Sequence, residues 1–274
     1  MSESATDTAH QPVRAQHLGP GYWRVTFDNP PLNLYTPEVE AGLVRIVAQL
    51  ESDAEVKIVV FDSALADFFI AHMDVSRMGE FGDGMPRWFD LVDRLGKARF
   101  ITVATIRGRA RGIGNEFLLA LDLRFASREN AIFGQPEVGM GIIPGCGGME
   151  RLSVLTGRAR ALEIVASGED YDADLAERYG WINRAVPDAE LDAFVDRFAQ
   201  RIASFDAEAL IAVKTTLNNE NPPPHGDSLK ATYARYSQLL ARDSVQQRFQ
   251  GVAQATPEMI LDLELNMGER IGPR

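Results

Sequence analysis

Residues 22–27, Tyr-Trp-Arg-Val-Thr-Phe, alternate between apolar and polar and are rich in β-formers, which predicts a strand. Asp28-Asn-Pro-Pro31 predicts the turn that ends it. Thr36 followed by Pro37 has the form of an N-cap with proline at the first helical position. Val39, Leu43, Ile46, Val47 and Leu50 then recur at helical spacing. Residues 57–61 predict a buried strand and 68–71 a shorter one. Residues 86–97 predict a helix with Trp88, Leu91, Val92 and Leu95 on its inner face. A strand over 101–106 leads through a glycine-rich turn into the apolar run Phe117-Leu-Leu-Ala-Leu121. Short strands are expected at 123–126 and 131–133. Helical spacing dominates beyond Gly148, over 158–167, 173–179 and 190–203, with a β-like piece at 181–186. After Asp206 the pattern is almost wholly helical, broken at Asn221-Pro-Pro-Pro224 and near Gly251. Met259, Ile260, Leu263 and Met267 form an apolar stripe that a lone helix cannot bury, so a subunit interface is expected there.

This order predicts an α/β chain in three parts: a loose polar tail over 1–20, a core over 21–204 and a helical C-terminal region over 205–274. The β–β–α recurrences fit a spiral and a doubly wound sheet equally well. The 274 residues suffice for one large domain or a domain with an appendage. A formal net charge of −11 repels nucleic acid, so no nucleic-acid partner is expected. With Cys146 as the single cysteine, no intrachain disulfide can form. No apolar run reaches the roughly 18 residues that span a bilayer, and the first residues lack the basic and apolar regions of a signal peptide. A cytoplasmic protein with no membrane partner is the expectation. His10, His17, His72 and His225 have no metal-ligand spacing, so no metal site is expected.

Candidate chemistry gathers between Arg107 and Gly148. A strand runs into Gly108, then Gly112-Ile-Gly114, then Glu116 at the mouth of the apolar run. A strand, a glycine turn and a helix start present backbone N–H groups to an anion. A dinucleotide fingerprint needs a third glycine where Phe117 stands, which argues against that reading. Glu116 and Glu137 both sit beside glycine turns, and burial tunes an acid toward neutrality, as proton transfer requires. Cys146 reads as a small packing hydrophobe, with no base proposed beside it. Asp74 reads most simply as an N-cap.

The order Gly108, Gly112-x-Gly114-x-Glu116, Phe133-Gly-Gln-Pro-Glu137 and Ile143-Pro-Gly-Cys-Gly-Gly148, preceded by Phe68-Phe-Ile-Ala-His-Met-Asp74, resembles the crotonase (enoyl-CoA hydratase/isomerase) superfamily. The resemblance runs from about Trp23 to about Val213. It decides for the spiral: a crotonase-like β–β–α spiral core with a helical C-terminal trimerisation region, assembled as a homotrimer or hexamer. It implies an enzyme that stabilises a thioester enolate, with the backbone N–H groups of Met73 and Ile113 as the oxyanion hole. Glu116 would be the base on water and Glu137 the acid toward Cα, with Gly145 helping to place the water. Ile70, Ala71, His72, Asp74, Gly112 and Pro136 would lie along the substrate. The implied substrate is a coenzyme A thioester, with no covalently bound cofactor, and the favoured reaction is syn hydration of a 2-enoyl thioester. Isomerisation, decarboxylation and retro-Claisen cleavage share the enolate. A non-catalytic binding or assembly subunit is the reading from another class, which the paired acids oppose. Two positions depart from the family: His72 and Ile113 stand where glycine is usual, and both add bulk beside the acyl pocket.

The loop after the first strand, Asp28-Asn-Pro-Pro-Leu-Asn-Leu34, has no basic residue where many crotonases hold CoA phosphates. Weak attraction for free CoA is expected unless Arg24, Arg77 or a neighbouring subunit compensates. Leu32, Asn33 and Leu34 are instead expected to meet pantetheine through backbone groups, and pantetheine is common to CoA and carrier proteins. A carrier-protein-bound acyl thioester is therefore an alternative substrate.

Overall fold

The computed structural model describes residues 10–83, 85–224, 226–253 and 255–271, with Val252 and Ala253 described by backbone alone. His225 and the first nine residues of the expected tail lie outside the described residues. In chain order the strands are β1 (Val13–Gly19), β2 (Tyr22–Phe27), β3 (Ile58–Ser63), β4 (Phe68–Ile70), β5 (Ile101–Ile106), β6 (Arg109–Arg111), β7 (Leu123–Ser127), β8 (Ile132–Gly134), β9 (Asp170–Asp172) and β10 (Arg184–Val186). The helices are α1 (Pro37–Ser52), α2 (Pro86–Lys97), α3 (Ile113–Ala120), α4 (Gly148–Thr156), α5 (Arg158–Ser167), α6 (Ala173–Tyr179), α7 (Asp188–Ala203), α8 (Ala207–Glu220), α9 (Asp227–Leu240), α10 (Asp243–Ala253), α11 (Pro257–Leu265) and α12 (Met267–Arg270). Two 3-10 turns, Val75–Phe81 and Pro136–Met140, complete the order.

Two sheets form, one in the order β1-β2-β3-β5-β7-β10 and one in the order β4-β6-β8-β9. Each turn of the chain lays a strand in the large sheet, crosses to a short strand in the small sheet, and returns through a helix or helical turn. Thus β3, β5 and β7 lie side by side in parallel, as do β4, β6 and β8. This is a β–β–α spiral. Adjacent turns touch at the backbone: a Cβ on Gly108, which has φ +66°, would lie 2.1 Å from the carbonyl carbon of Asp67.

The central helix α3 fills the space between the sheets. Phe117 packs edge-on to Phe27 and Phe61, each at 5.4 Å between ring centroids. Such pairs add about 0.5–1.5 kcal/mol each beyond burial. Thr36 caps α1 by accepting the Val39 N–H, and Asp74 caps its 3-10 turn by accepting the Ser76 N–H, both as the sequence indicates.

The structure corrects two expectations. Residues 13–19, placed in the loose tail, form β1, an antiparallel edge strand on β2. Val13 is its fully buried anchor and most of its other side chains are exposed, so no apolar period announces it. The polar segment Asp170–Asp172 forms β9 through backbone pairing with β8. The helical run breaks near Gly251 as expected, with α10 ending at Ala253 and α11 starting at Pro257. No helix among the described residues is long and apolar enough to cross a membrane.

Candidate active site

Gly112, at φ +50°, turns the chain from β6 into α3. Gly114 lies against the β4 backbone, where a Cβ would stand 2.1 Å from the Ile70 carbonyl oxygen. No other residue type fits there, so α3 starts at a fixed depth beneath β4. Ile113 opens the helix, and its N–H is one of the first-turn donors that a helix leaves unpaired. One turn on, Glu116 points inward and is 2% exposed. Its Oε1 accepts the N–H groups of Cys146 and Gly148, each at 2.8 Å. Gly148 must be small because a Cβ would lie 3.0 Å from both Glu116 Cγ and Gln135 Nε2. Burial pushes the Glu116 pKa up to about 7, against the pull of these two N–H bonds and the nearby Arg151. Arg151, itself buried, donates to the Cys146 and Gly147 carbonyls and so braces the turn that holds Glu116.

Glu137 stands in the first turn of the 3-10 segment after β8, half-buried in the opposite wall. Burial, and then the charge of Glu116, raise its pKa well above the usual carboxylate value. A buried relay orients it. The Trp181 indole N–H donates to Asn115 Oδ1 at 2.9 Å, and Asn115 Nδ2 donates to Gln135 Oε1 at 2.5 Å. Gln135 Nε2 then donates to both Glu137 oxygens at 3.2 Å. An indole is a donor only, so it sets the direction of both amides and ends the relay with a donor aimed at Glu137.

Met73 lies in a parallel bridge with Tyr35. Tyr35 donates to the His72 carbonyl and accepts from the Asp74 N–H, so the Met73 N–H points away from Tyr35. Beside it, His72 Nδ1 is 2.6 Å from the Met73 carbonyl oxygen and Nε2 is 2.7 Å from Glu264 Oε1. Both ring nitrogens face acceptors, which favours the doubly protonated imidazole. Burial pulls the His72 pKa down, but the Glu264 charge and hydrogen bond carry it above its usual value. Glu264 belongs to α11, which Arg111 also holds: Nη1 donates to the Glu264 carbonyl, and Nε and Nη2 grip Asp170 at 2.7 and 2.6 Å.

These groups share one cavity of about 340 Å³. Glu116, Glu137, Met73, Ile113, His72, Gly112, Pro136 and Gly145 all line it. Leu32, Asn33, Leu34, Ile70, Ala71 and Asp74 are not in its wall. Leu32 and Ala71 pack with Phe68, and Ile70 backs α3. The Asn33 side chain donates to Ser63 and to the Phe68 and Phe69 carbonyls, while the Asp74 carboxylate is occupied by its cap. Helices α9 to α12 supply Tyr233, Tyr236, Phe249, Leu263, Glu264 and Met267 to the cavity. The periodicity of those helices does not reveal this role. Gln135 and Asn115 carry a local signal, being polar residues in stretches otherwise buried. Among the described residues no group of three His, Cys, Asp or Glu side chains is placed to hold a metal ion.

Spiral and site together define a class of protein in which two acids line one largely apolar cavity at the start of a buried helix. A family profile described as enoyl-CoA hydratase/isomerase matches residues 20–255. The chain belongs to that family, within the crotonase superfamily. It is 35% identical over 196 residues to a short-chain-enoyl-CoA hydratase of Clostridium acetobutylicum, covering 69% of this chain and 74% of that protein. It is 33% identical over 180 residues to a crotonyl-CoA hydratase of Syntrophomonas wolfei, covering 63% and 68%. A solved structure from Streptomyces avermitilis, provisionally described as an enoyl-CoA hydratase, is 43% identical and superposes with a TM-score of 0.90 over 96% of this chain and 97% of that one.

Proposed function

We propose that this enzyme hydrates 2-enoyl thioesters to 3-hydroxyacyl thioesters. The observation that carries the reading is the pair Glu116 and Glu137 in one apolar cavity with the start of α3. The thioester carbonyl sits between the Met73 and Ile113 N–H groups, each such donor being worth about 3 kcal/mol of barrier. Glu116 takes a proton from water, whose oxygen bonds to Cβ as the Cα=Cβ electrons move toward the carbonyl. Glu137 then protonates Cα, and exchange with solvent resets both acids. Water placement falls to the backbone at Gly145, and Ile70 and Ala71 hold the Met73 loop from behind. Loss of the enoyl thioester's ultraviolet absorbance is the direct assay. A site in the cytoplasm accords with the acidic, single-cysteine composition.

The pH profile follows from the two shifts. Glu116 must be ionised, so activity rises as pH climbs through about 7. Glu137 must be protonated, so activity falls once pH passes its own raised pKa. The limbs belong to the coupled pair. A rate that stays flat between pH 5 and 8 would contradict this assignment.

A carrier-bound substrate is the second reading, favoured by the state of the two arginines that could hold CoA phosphates. Arg77 is engaged by Glu38 and Glu80, and Arg24 by Asp62 and Asp196. Leu32, Asn33 and Leu34 would meet pantetheine through their backbone. Calorimetry should show free-CoA thioesters binding no more than about tenfold tighter than the matching acyl-pantetheine, with a shallow salt dependence. A steep salt dependence confined to the CoA thioester would restore phosphate recognition.

The assembly we propose is a trimer or hexamer. Its sequence rationale, the apolar stripe of the last helices, is used largely within the chain: Ile260 packs on Leu32, Phe68 and Ala71, while Leu263 and Met267 face the cavity. Exposed apolar residues remain at Met259, at Val154 and Leu162 on α4 and α5, and at Val213 and Leu217 on α8. Light scattering should return three or six times 30.2 kDa; a mass of one chain would refute the assembly.

A further inference from the structure

We infer that the acyl group this site accepts is uncharged, apolar and long, of roughly eight to twelve carbons or an aryl equivalent. The inference rests on the hydratase reading for the placement of the thioester, and on the cavity for everything else.

Size comes first. A cavity of about 150 Å³ lined by apolar side chains holds a benzene ring. This one, at about 340 Å³, has more than twice that space. A four-carbon acyl group would cover only part of the apolar wall and leave the rest against water. Leu32, Asn33 and Leu34, the residues expected to meet pantetheine, lie outside its wall.

The character of the wall gives the chemistry. Beyond the two acids, the cavity is bounded by Ile142, Tyr236, Phe249, Leu263, Met267 and Ile271. The other charged groups facing it are already engaged: His72 with Glu264 at 2.7 Å, and Arg270 with Asp262 at 2.7 Å. Among the described residues of the wall both cations already have carboxylate partners, and a carboxylate on the acyl tail would face Glu116, Glu137 and Glu264. Methionines add adaptable surface, since Met73, Met85, Met140 and Met267 all contribute.

The floor is built by the C-terminal helices, which are fixed to the core. Gly145 lies against Tyr236, where a Cβ would be 2.8 Å from the ring. Gly139 lies against Ile271, where a Cβ would be 1.6 Å from Cγ2. The Gly268 N–H donates to Asp170, which Arg111 grips. The chain's own last helices thus set acyl length.

The test is calorimetric binding of two saturated thioesters, butanoyl-CoA and decanoyl-CoA, below their micellar concentrations. Both carry the same CoA, so weak phosphate contacts cancel in the ratio. Each buried methylene adds to affinity, and the decanoyl thioester should bind at least 30-fold tighter. A ratio below tenfold would overturn the inference. Met267→Trp and, as a milder filling, Leu263→Phe should each lower the ratio at least threefold; a ratio unchanged in both would overturn it as well. No chemistry is needed for this readout. Tight decanoyl binding without hydration of trans-2-decenoyl-CoA would leave the acyl pocket standing and sink the hydratase reading instead.

Discussion

Glu116→Gln should lower hydration by about 10²–10⁴-fold, the range that positioned general acid–base groups supply. The fold should survive, and at pH 8 it should be at least as stable as the parent. Glu116 is buried, and its folded pKa of about 7 lies above its usual 4.5. A carboxyl raised in this way binds its proton more tightly when folded. Its stabilising contribution is complete below the unfolded value and is lost as pH rises through about 7. Ionised Glu116 therefore costs on the order of 3 kcal/mol at pH 8. Glutamine removes that charge and keeps an oxygen for the Cys146 and Gly148 N–H groups. Thermal melts at pH 5 and pH 8 check this: the parent loses stability across the interval and the variant loses less. Glu137→Gln should give a rate loss of the same order. Full turnover in both variants would remove the acids from the mechanism.

Gly114→Ala should be severely damaging to both fold and activity. Its Cβ would sit 2.1 Å from the Ile70 carbonyl oxygen, a backbone atom that cannot swing aside. Overpacking of this kind costs about 3 kcal/mol or more, which lowers the melting temperature by roughly 6–12 °C in a chain of this size. Relief requires α3 to move away from β4, which displaces the Ile113 N–H and Glu116 together. A shift of about 1 Å at such a position costs roughly 10²-fold in rate. Gly251→Ala is the control: that glycine is helical with open space around it, and alanine should leave stability unchanged or raise it by up to about 1 kcal/mol. Differential scanning calorimetry of the two variants separates close packing at Gly114 from a general effect of adding a methyl.

Much of this site is local in sequence, and that part was legible. The glycine turns, Glu116 and Glu137 lie within about one turn of the spiral, so spacing along the chain reports their placement. The spiral itself was not legible from periodicity, which fits two α/β architectures; the family motifs decided it. Contacts across the chain left no such trace. Glu264 reaches His72 over 192 positions, and its helix reads only as an apolar stripe. That stripe suggested a subunit interface, whereas Ile260, Leu263 and Met267 turn toward their own chain. Asn33 was expected to meet pantetheine through its backbone; its side chain ties the β2–α1 loop to Ser63 and β4, a contact the sequence does not announce. Strand β1 went unseen because an edge strand with one buried anchor has no alternation to detect. The sequence could show which residues belong to one face, and the fold decided what that face meets.

The central claim is that Glu116 and Glu137 add water across a thioester double bond from one side. The most direct measurement is hydration of trans-2-decenoyl-CoA in deuterium oxide, with the product's configuration determined by nuclear magnetic resonance. Both acids line the same cavity as the start of α3. The account predicts one deuterium at Cα and the hydroxyl at Cβ, added to the same face, and loss of the product when either acid is glutamine. Addition to opposite faces, or no hydroxyacyl product from an enzyme that binds the thioester, would contradict it.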